Sequence, residues 1–326
     1  MSVLVTGGAG YIGSVAVERL LEAGEDVIVL DNLGTGYRGA VAPEAVFVEG
    51  NILDRAELGR LFDRFDIDTV MHFAAFIVVS ESCADPGKYF HNNVAGALAV
   101  LDAMVAARVG HFILSSTAAV YGDPEAVPIT EDMRTRPKNP YGLSKHMIEQ
   151  ALEWYDRAHG LRSVSLRYFN AAGATETHGE AHVPETHLIP NVLMAADGER
   201  EHITVYGNDY DTPDGTCIRD YVHVVDLADA HLLAMGYLRE GGASETVNLG
   251  NSVGHSVLEV IQAVERVAGC AAPVVHGQRR VGDAARLVAA SRKAREIFGW
   301  RPKRDAIDTI VRDAWNWRKA HPHGYA

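Results

Sequence analysis

Tyr141 and Lys145 are the residues best placed to do chemistry in this chain of 326 residues. Four apart on a helix, their side chains share one face, within reach of each other or of a common ligand. A lysine cation beside an oxidised nicotinamide ring favours a tyrosinate and draws the phenol pKa from ~10 toward neutrality. Tyr141 could then act as general base toward a sugar hydroxyl, while Lys145 holds the nicotinamide ribose. The same spacing is common on ordinary helix surfaces, so its context decides. Ser115, Ser116 and Thr117 close an apolar strand upstream of it, and a second stretch, Val3 to Gly13 (VLVTGGAGYIG), supplies the other half of the chemistry. There a run of β-formers enters a glycine cluster, and Tyr11, Ile12, Val15 and Leu20 begin a helical apolar pattern. Gly7 and Gly8 let the backbone turn, Gly10 admits a pyrophosphate, and Gly13 packs the helix onto the strand. Asp31 closes the next strand, Asp26 to Leu30, about 20 residues on, which is where a dinucleotide-binding unit places its ribose acceptor.

Positioning these groups requires a regular frame. Strand-like runs at Val27 to Leu30, Ala45 to Val48, Thr69 to Phe73, His111 to Ser115 and Arg162 to Arg167 alternate with helical runs. Those helices are expected near Tyr11 to Ala23, Arg55 to Phe65, Pro86 to Arg108 and Tyr141 to His159. Such alternation, with strands too apolar to be half exposed, predicts an α/β fold, a doubly wound parallel sheet of Rossmann type. Ligands on such sheets sit beyond the carboxyl ends of the strands. From about Ala171 the alternation fades, which predicts a smaller C-terminal α/β substrate domain; the expected division is 1–170 and 171–326, with a segment near 221–230 returning to the first domain. The stretch from His321 to Ala326 reads as a surface end.

Composition narrows the function. With 47% hydrophobic residues the chain can bury a large core, and a net charge of −13 disfavours nucleic acid or an anionic membrane surface as partner. An anionic ligand therefore needs a local basic pocket. Cys83, Cys217 and Cys270 are isolated and lack metal-ligand spacing, so they read as buried free thiols. The first strand begins at residue 2 or 3, leaving no signal peptide, and the apolar run Val94 to Val109 is broken by Asp102 and Arg108. A soluble cytoplasmic protein is expected. His178, His182, Glu185 and His187 invite a metal reading, but spacings of four and five in a Gly- and Pro-containing loop define no single face, and no metal site is expected.

Taken together, Gly7 to Gly13, His72 to Ala75, Asn92-Asn93, Ser115 to Gly122 and Tyr141 to Lys145 resemble the extended short-chain dehydrogenase/reductase family. The runs Arg167 to Gly173, Tyr206 to Tyr210 and Arg219 to Val224 look like the UDP-glucose (UDP-galactose) 4-epimerases of that family, and the likeness spans almost the whole chain. The resemblance implies a tightly held NAD, reduced and reoxidised within each turnover, and inversion at C4 of UDP-galactose or UDP-glucose through a 4-keto sugar. Tyr141 would be the base, Lys145 its partner, and Thr117 would stand where serine is usual, keeping the hydroxyl but adding a methyl and a stiffer χ1.

By the same resemblance Gly7, Gly10, Tyr11, Ile12 and Gly13 meet the cofactor, and Asp31 and Asn32 hold the adenosine ribose, favouring NAD over NADP. Asn51 and Ile52 flank the adenine, the Asn51 oxygen accepting from its amino group. Phe73, Ala74, Ala75, Asn93, Ser115 and Phe169 line the pyrophosphate and nicotinamide region. Asn170, His187, Leu188, Tyr206, Arg219, Tyr221, Arg280 and Asp283 grip the UDP moiety, the arginines because a diphosphate needs paired cationic donors. Leu287 stands where some relatives carry a tyrosine that closes the sugar pocket, so UDP-N-acetylhexosamines are possible substrates too. A homodimer through the helices near Pro86 to Arg108 and Tyr141 to His159 is expected.

Two other readings stay open. A 4,6-dehydratase or a decarboxylase of the same family needs acidic groups just after the hydroxyl residue, where this chain has Ala118 and Ala119. A non-catalytic NAD-binding regulator would keep the glycines without needing Tyr141 and Lys145.

Overall fold

The computed structural model describes residues 1–280 and 283–325; the expected domain end at Ala326 lies outside them. Its centre is a seven-stranded parallel sheet in the order β10-β6-β5-β4-β1-β2-β3. These are β1 (Ser2–Thr6), β2 (Asp26–Asp31), β3 (Val46–Glu49), β4 (Ile67–His72), β5 (His111–Thr117), β6 (Arg162–Tyr168) and β10 (Glu245–Leu249). Between them in sequence lie β7 (Asn170–Ala172), β8 (Ile203–Tyr206) and β9 (Ile218–His223), and after them β11 (Gly254–Ser256), β12 (Val274–Gly277) and β13 (Arg286–Leu287). The central strands are buried on both faces, as a doubly covered parallel sheet requires: Val3, Leu4 and Val5 have no exposed surface.

Helices α1 (Tyr11–Glu22), α2 (Arg55–Arg64), α3 (Val79–Ala84), α4 (Pro86–Tyr89), α5 (Gly96–Ala107) and α6 (Pro140–His159) belong to the first half, and α7 (Leu188–Ala196), α8 (Val224–Arg239), α9 (Val257–Ala268), α10 (Arg292–Phe298) and α11 (Ile307–Ala320) to the second. α2, α5 and α6 cover one face of the sheet through Leu58, Leu61, Val100, Leu101, Met104, Ile148 and Leu152. α1, α8 and α10 cover the other, with Val17, Leu20, Leu227, Ala234, Leu238 and Phe298. The continuous helix from Pro86 to Ala107 is long and apolar enough by composition to cross a membrane; here its Ala97, Val100, Leu101 and Met104 are core residues.

The chain returns to the large sheet further than the segment near 221–230: α8 packs on α1, and β10 pairs along its whole length with β6, Glu245 opposite Val164 through Leu249 opposite Tyr168. A short apolar run at the sheet's edge carries little sequence signal, and long-range pairing decides it. The rest of the second half packs α7, α9 and α11 around Ile189, Val192, Val260, Val264, Ile310 and Val311. The cysteines differ from expectation: Cys83 and Cys270 are exposed and Cys217 partly so, because they sit on outward faces and in a loop after α9. The stretch after α11 is no loose end, since Tyr325 packs on Trp317 at 5.3 Å between ring centres.

Candidate active site

The glycine turn is shaped by its neighbours. The Thr6 carbonyl accepts from Phe73 N at 2.8 Å and Ala74 N at 3.0 Å, stitching the exit of β4 to the turn. Gly7 has φ +75°, and a Cβ there would lie 2.5 Å from Ala74 N, so no other residue fits. Gly10 caps α1 without a side-chain hydrogen bond, and the first turn carries no acidic residue. The N–H groups of that turn therefore present positive charge to an anion. Asp31, 8% exposed, accepts from Ala9 N at 3.0 Å through Oδ2 and from Leu33 N at 2.8 Å through Oδ1. Burial pushes its pKa up against the pull of those N–H groups, and a carboxylate keeps lone pairs for ribose hydroxyls after two such bonds. Cradle, helix end and carboxylate fit a dinucleotide.

The other expected cofactor residues fall into two groups. Gly13 continues the helix packed on the turn, while Tyr11 donates to Gly173 O at 2.6 Å and Ile12 packs beside Val224 and Val225, so these two side chains bolt the turn to the second half of the chain. Phe73 stacks near His231 at 4.7 Å, and Ala75 is partly buried on the same loop. Asn32 is exposed and its Oδ1 accepts from Gly34 N at 2.9 Å. Asn51 Oδ1 accepts from Leu53 N at 2.9 Å in a turn, which fixes the side chain and leaves the oxygen a second lone pair. Ile52 beside it is buried in the core of α5 and the sheet. Asn93 has no exposed surface and both its polar atoms are used, Oδ1 by Phe76 N at 2.9 Å and Nδ2 by Phe76 O at 3.0 Å and Ser144 Oγ at 3.1 Å. It sits in a π-helical turn, Phe90–Ala95, and ties the loop after β4 to α6.

α6 starts where the reactive pair needs it. Asn139 accepts from Gly142 N at 2.8 Å, Pro140 fills the first turn, and a Cβ on Gly142 would lie 2.7 Å from Ala119 O, so glycine lets the helix close onto the exit of β5. Tyr141 and Thr117 meet there, with Lys145 one turn further along the same helix and buried. Thr117 is 9% exposed and accepts from Ala119 N at 3.1 Å, and its hydroxyl lies close enough to pull on the Tyr141 pKa. Burial nevertheless raises the Tyr141 pKa above the ordinary phenol value, and Lys145 is not among the groups that oppose it. The expected lowering is thus not produced by the protein groups alone. Lys145 is itself 1% exposed and pulled down to about 8 by burial, against the charge of Glu149. His72, bonded to Thr6 Oγ1 at 2.8 Å, stays neutral beside it, burial and the Lys145 charge lowering it to about 3. The Ser115 hydroxyl receives Tyr168 OH.

β9 gathers the second set of residues. Asn170 on β7 stands opposite Tyr221, and Leu287 on β13 opposite Arg219. Arg219 reaches Asp283 at 3.2 Å and the Ala284 carbonyl at 2.9 Å. Arg280 lies 4.0 Å over the half-exposed Tyr206 ring. Leu287 and Phe169 pack on one cluster with Ala118, Val120, Tyr121 and Ile129, directly beside Thr117 in the chain. Leu188 opens α7, and His187 is the residue before it.

His187 belongs to a compact group that the spacing argument did not foresee: Glu180, His182, Glu185 and His187, with ligand-type atoms all within 4.8 Å. His178 is not part of it and turns to Glu18 at 3.0 Å instead. His187 Nδ1 lies 2.5 Å from Glu180 and 3.0 Å from Glu185. Burial would lower its pKa, but those carboxylates, Glu180 above all, push it up to about 10. Glu180, whose burial works the other way, is held down to about 2 by the two histidines.

Two further groups support the site and escaped the sequence reading. Glu149, one turn beyond Lys145, takes Arg167 in a two-pronged pair at 2.9 and 2.7 Å and Ser116 Oγ at 2.6 Å. Arg167 goes on to Tyr121 OH at 2.9 Å, and Tyr121 to Asn248 on β10 at 2.7 Å. Asp220, between Arg219 and Tyr221, accepts from Asn251, Ser252 and Ala289 N at 2.7, 3.1 and 3.0 Å, tying β9 to the turn after β10 and to the chain just past Leu287. Glu149 had a signal, the i+4 spacing from Lys145; its partner on β6 had none.

Comparison with known proteins agrees with this geometry. Residues 3–250 match the NAD dependent epimerase/dehydratase family. The chain is 51% identical over 327 residues to a UDP-glucose 4-epimerase of Lacticaseibacillus casei, covering 100% of this chain and 99% of that one. A crystal structure of UDP-glucose 4-epimerase superposes with a TM-score of 0.98 at 49% identity, covering all of both chains. The UDP-glucose 4-epimerase of Brucella ovis in complex with NAD gives 0.94 at 47% identity, over 96% of this chain and 97% of that one.

Proposed function

The chain belongs to the NAD dependent epimerase/dehydratase family, and from that premise we propose that it interconverts UDP-galactose and UDP-glucose by transient oxidation at C4. NAD, when bound, accepts the C4 hydride and returns it to the other face of the sugar. The glycine turn and the start of α1 bind its pyrophosphate, and Asp31 its adenosine ribose. Tyr141 takes the proton of the 4-hydroxyl and later gives it back, with Thr117 aligned on the same oxygen. Burial raises the Tyr141 pKa; the positive charge an oxidised nicotinamide would bring, added to that of Lys145, would favour the tyrosinate. Arg219, Arg280 and a protonated His187 meet the diphosphate, and Asp283 the uridine ribose.

The observation that carries this reading is the contact of Tyr141 with Thr117 at the exit of β5, with buried Lys145 one turn on in α6 and an alanine, Ala118, next after Thr117. Elimination of water needs an acid and a base at that point, and alanine provides neither, which speaks against a dehydratase. We also read the Glu180 group as a hydrogen-bonded ion-pair network rather than a metal centre, because His187 Nδ1 lies 2.5 Å from Glu180 and 3.0 Å from Glu185 and so carries a proton where a metal would need the lone pair. The outer face of α6 carries exposed Leu143, Met147 and Trp154, which supports a homodimer through α5 and α6 in a soluble, cytoplasmic enzyme. UDP-galactose added to the purified protein without NAD, followed by NMR of the anomeric protons, tests the activity. Conversion to UDP-glucose is expected; an unchanged spectrum, with and without added NAD, would overturn it.

A further inference from the structure

The loop 173–187 is tied to both ends of the segment that receives the dinucleotide. At one end Tyr11, within the glycine turn, donates to Gly173 O at 2.6 Å. At the other, the loop that follows Asp31 bonds back to the turn through Tyr37 N and Ala9 O at 2.9 Å, and Tyr37 OH donates to Ala181 O at 2.7 Å. His178 Nε2 lies 3.0 Å from Ala40 O on the same loop. Where these two loops meet, a third piece of chain is laid on them. The ring of Tyr325 packs on Tyr37 at 5.6 Å and on Trp317 at 5.3 Å, and its hydroxyl donates to Gly179 O at 2.9 Å while accepting from Gly179 N at 2.8 Å.

We propose that Tyr325 is a positioning residue for cofactor retention: it pins the loop 173–187 against the loop after Asp31, so that NAD leaves only when the two part. The inference rests on the reading that NAD stays bound through the cycle. An epimerase has a physical need for such a device, because the hydride must return from the same bound cofactor, whereas a net dehydrogenase must exchange it each turnover. The Tyr325 hydroxyl bonds the backbone N–H and carbonyl of Gly179 and has the Ser14 hydroxyl of α1 beside it, so its hold does not depend on the side chains that meet the substrate.

The test loads the parent, Tyr325→Ala and Tyr325→Phe with NADH and follows its fluorescence as excess NAD displaces it. About tenfold faster release is expected for Tyr325→Ala and about threefold for Tyr325→Phe, which keeps the ring and loses only the hydroxyl. The melting midpoints of the two variants are expected to stay within about 5 °C of the parent. Release at the parent's rate from both variants overturns the proposal. If Tyr325→Ala does not fold, Tyr325→Phe and Tyr37→Phe decide it, since each removes a single hydroxyl. A parent that releases NADH within one turnover and needs added NAD contradicts the retained-cofactor reading itself, a different failure from equal rates across the variants.

Discussion

The cofactor half and the sugar-nucleotide half of this site are held together by different means. On the cofactor side the shape is set by backbone and by buried pairs: Gly7 against Ala74, Asp31 bonded to two N–H groups, and α6 locked to the sheet by the buried Glu149–Arg167 pair. On the sugar-nucleotide side the charged groups lie on β9 and in loops and satisfy one another, Arg219 on Asp283 and His187 between Glu180 and Glu185. The first half is fixed by contacts within the protein itself, as precise hydride and proton transfer demands. The second half can exchange its internal pairs for a diphosphate and a ribose. That division lets a keto sugar turn over while the cofactor and the base stay still.

Breaking the rigid half is expected to cost most. Tyr141→Phe removes the base and should lower kcat by about 10²–10⁴, measured with UDP-galactose, with bound NAD content as the control that the fold survives. Next comes Glu149→Gln, which leaves Arg167 buried without its partner and should destabilise by about 3–5 kcal/mol in urea unfolding. The partly exposed counterpart, Asp283→Asn, should cost under about 1 kcal/mol in stability and show itself in KM instead. The Glu149 pair also has a pH signature. Burial would raise the Glu149 carboxyl, but Arg167, His146 and Ser116 hold it below its ordinary 4.5. Its stabilisation is therefore full above that value and lost as pH falls through the lower folded value, and Glu149→Gln should flatten this acid limb.

Smaller effects belong to the adaptable half. Leu287→Tyr, placed in the cluster with Phe169, should cut turnover of UDP-N-acetylgalactosamine relative to UDP-galactose by about tenfold or more. A parent with no activity on the acetylated sugar would remove that part of the account. Glu180→Gln should have the mildest effect. Without its main partner His187 falls from about 10 toward its ordinary 6.5, so KM for the UDP-sugar should rise several-fold between about pH 6 and 8 in the variant and stay level in the parent.

The same division governs what could be read from the chain. Gly7 to Gly13, Asp31 and the Tyr141–Lys145 pair were legible because one local element fixes their spacing: a turn between strand and helix, or four residues of one helix. The succession of strands along the chain as far as β6 followed from alternation; their order in the sheet did not. Nothing local marks Arg167 as the partner of Glu149, or β10 as the seventh strand, since both depend on pairing across the sheet. The spacing of His178, His182, Glu185 and His187 fits no single face, yet a loop brings the last three together with Glu180, which that spacing did not mark. Tyr325 looked like a loose end because its contacts, Tyr37 and Gly179, lie far away in sequence.

The central claim is that hydride leaves and returns within one protein molecule. UDP-galactose carrying deuterium at C4, incubated with the protein as purified and without added NAD, tests it directly. UDP-glucose that keeps its deuterium at C4, with no reduced cofactor in the filtrate, is the predicted result. Loss of the label from C4, or its appearance in free reduced cofactor, would contradict the account.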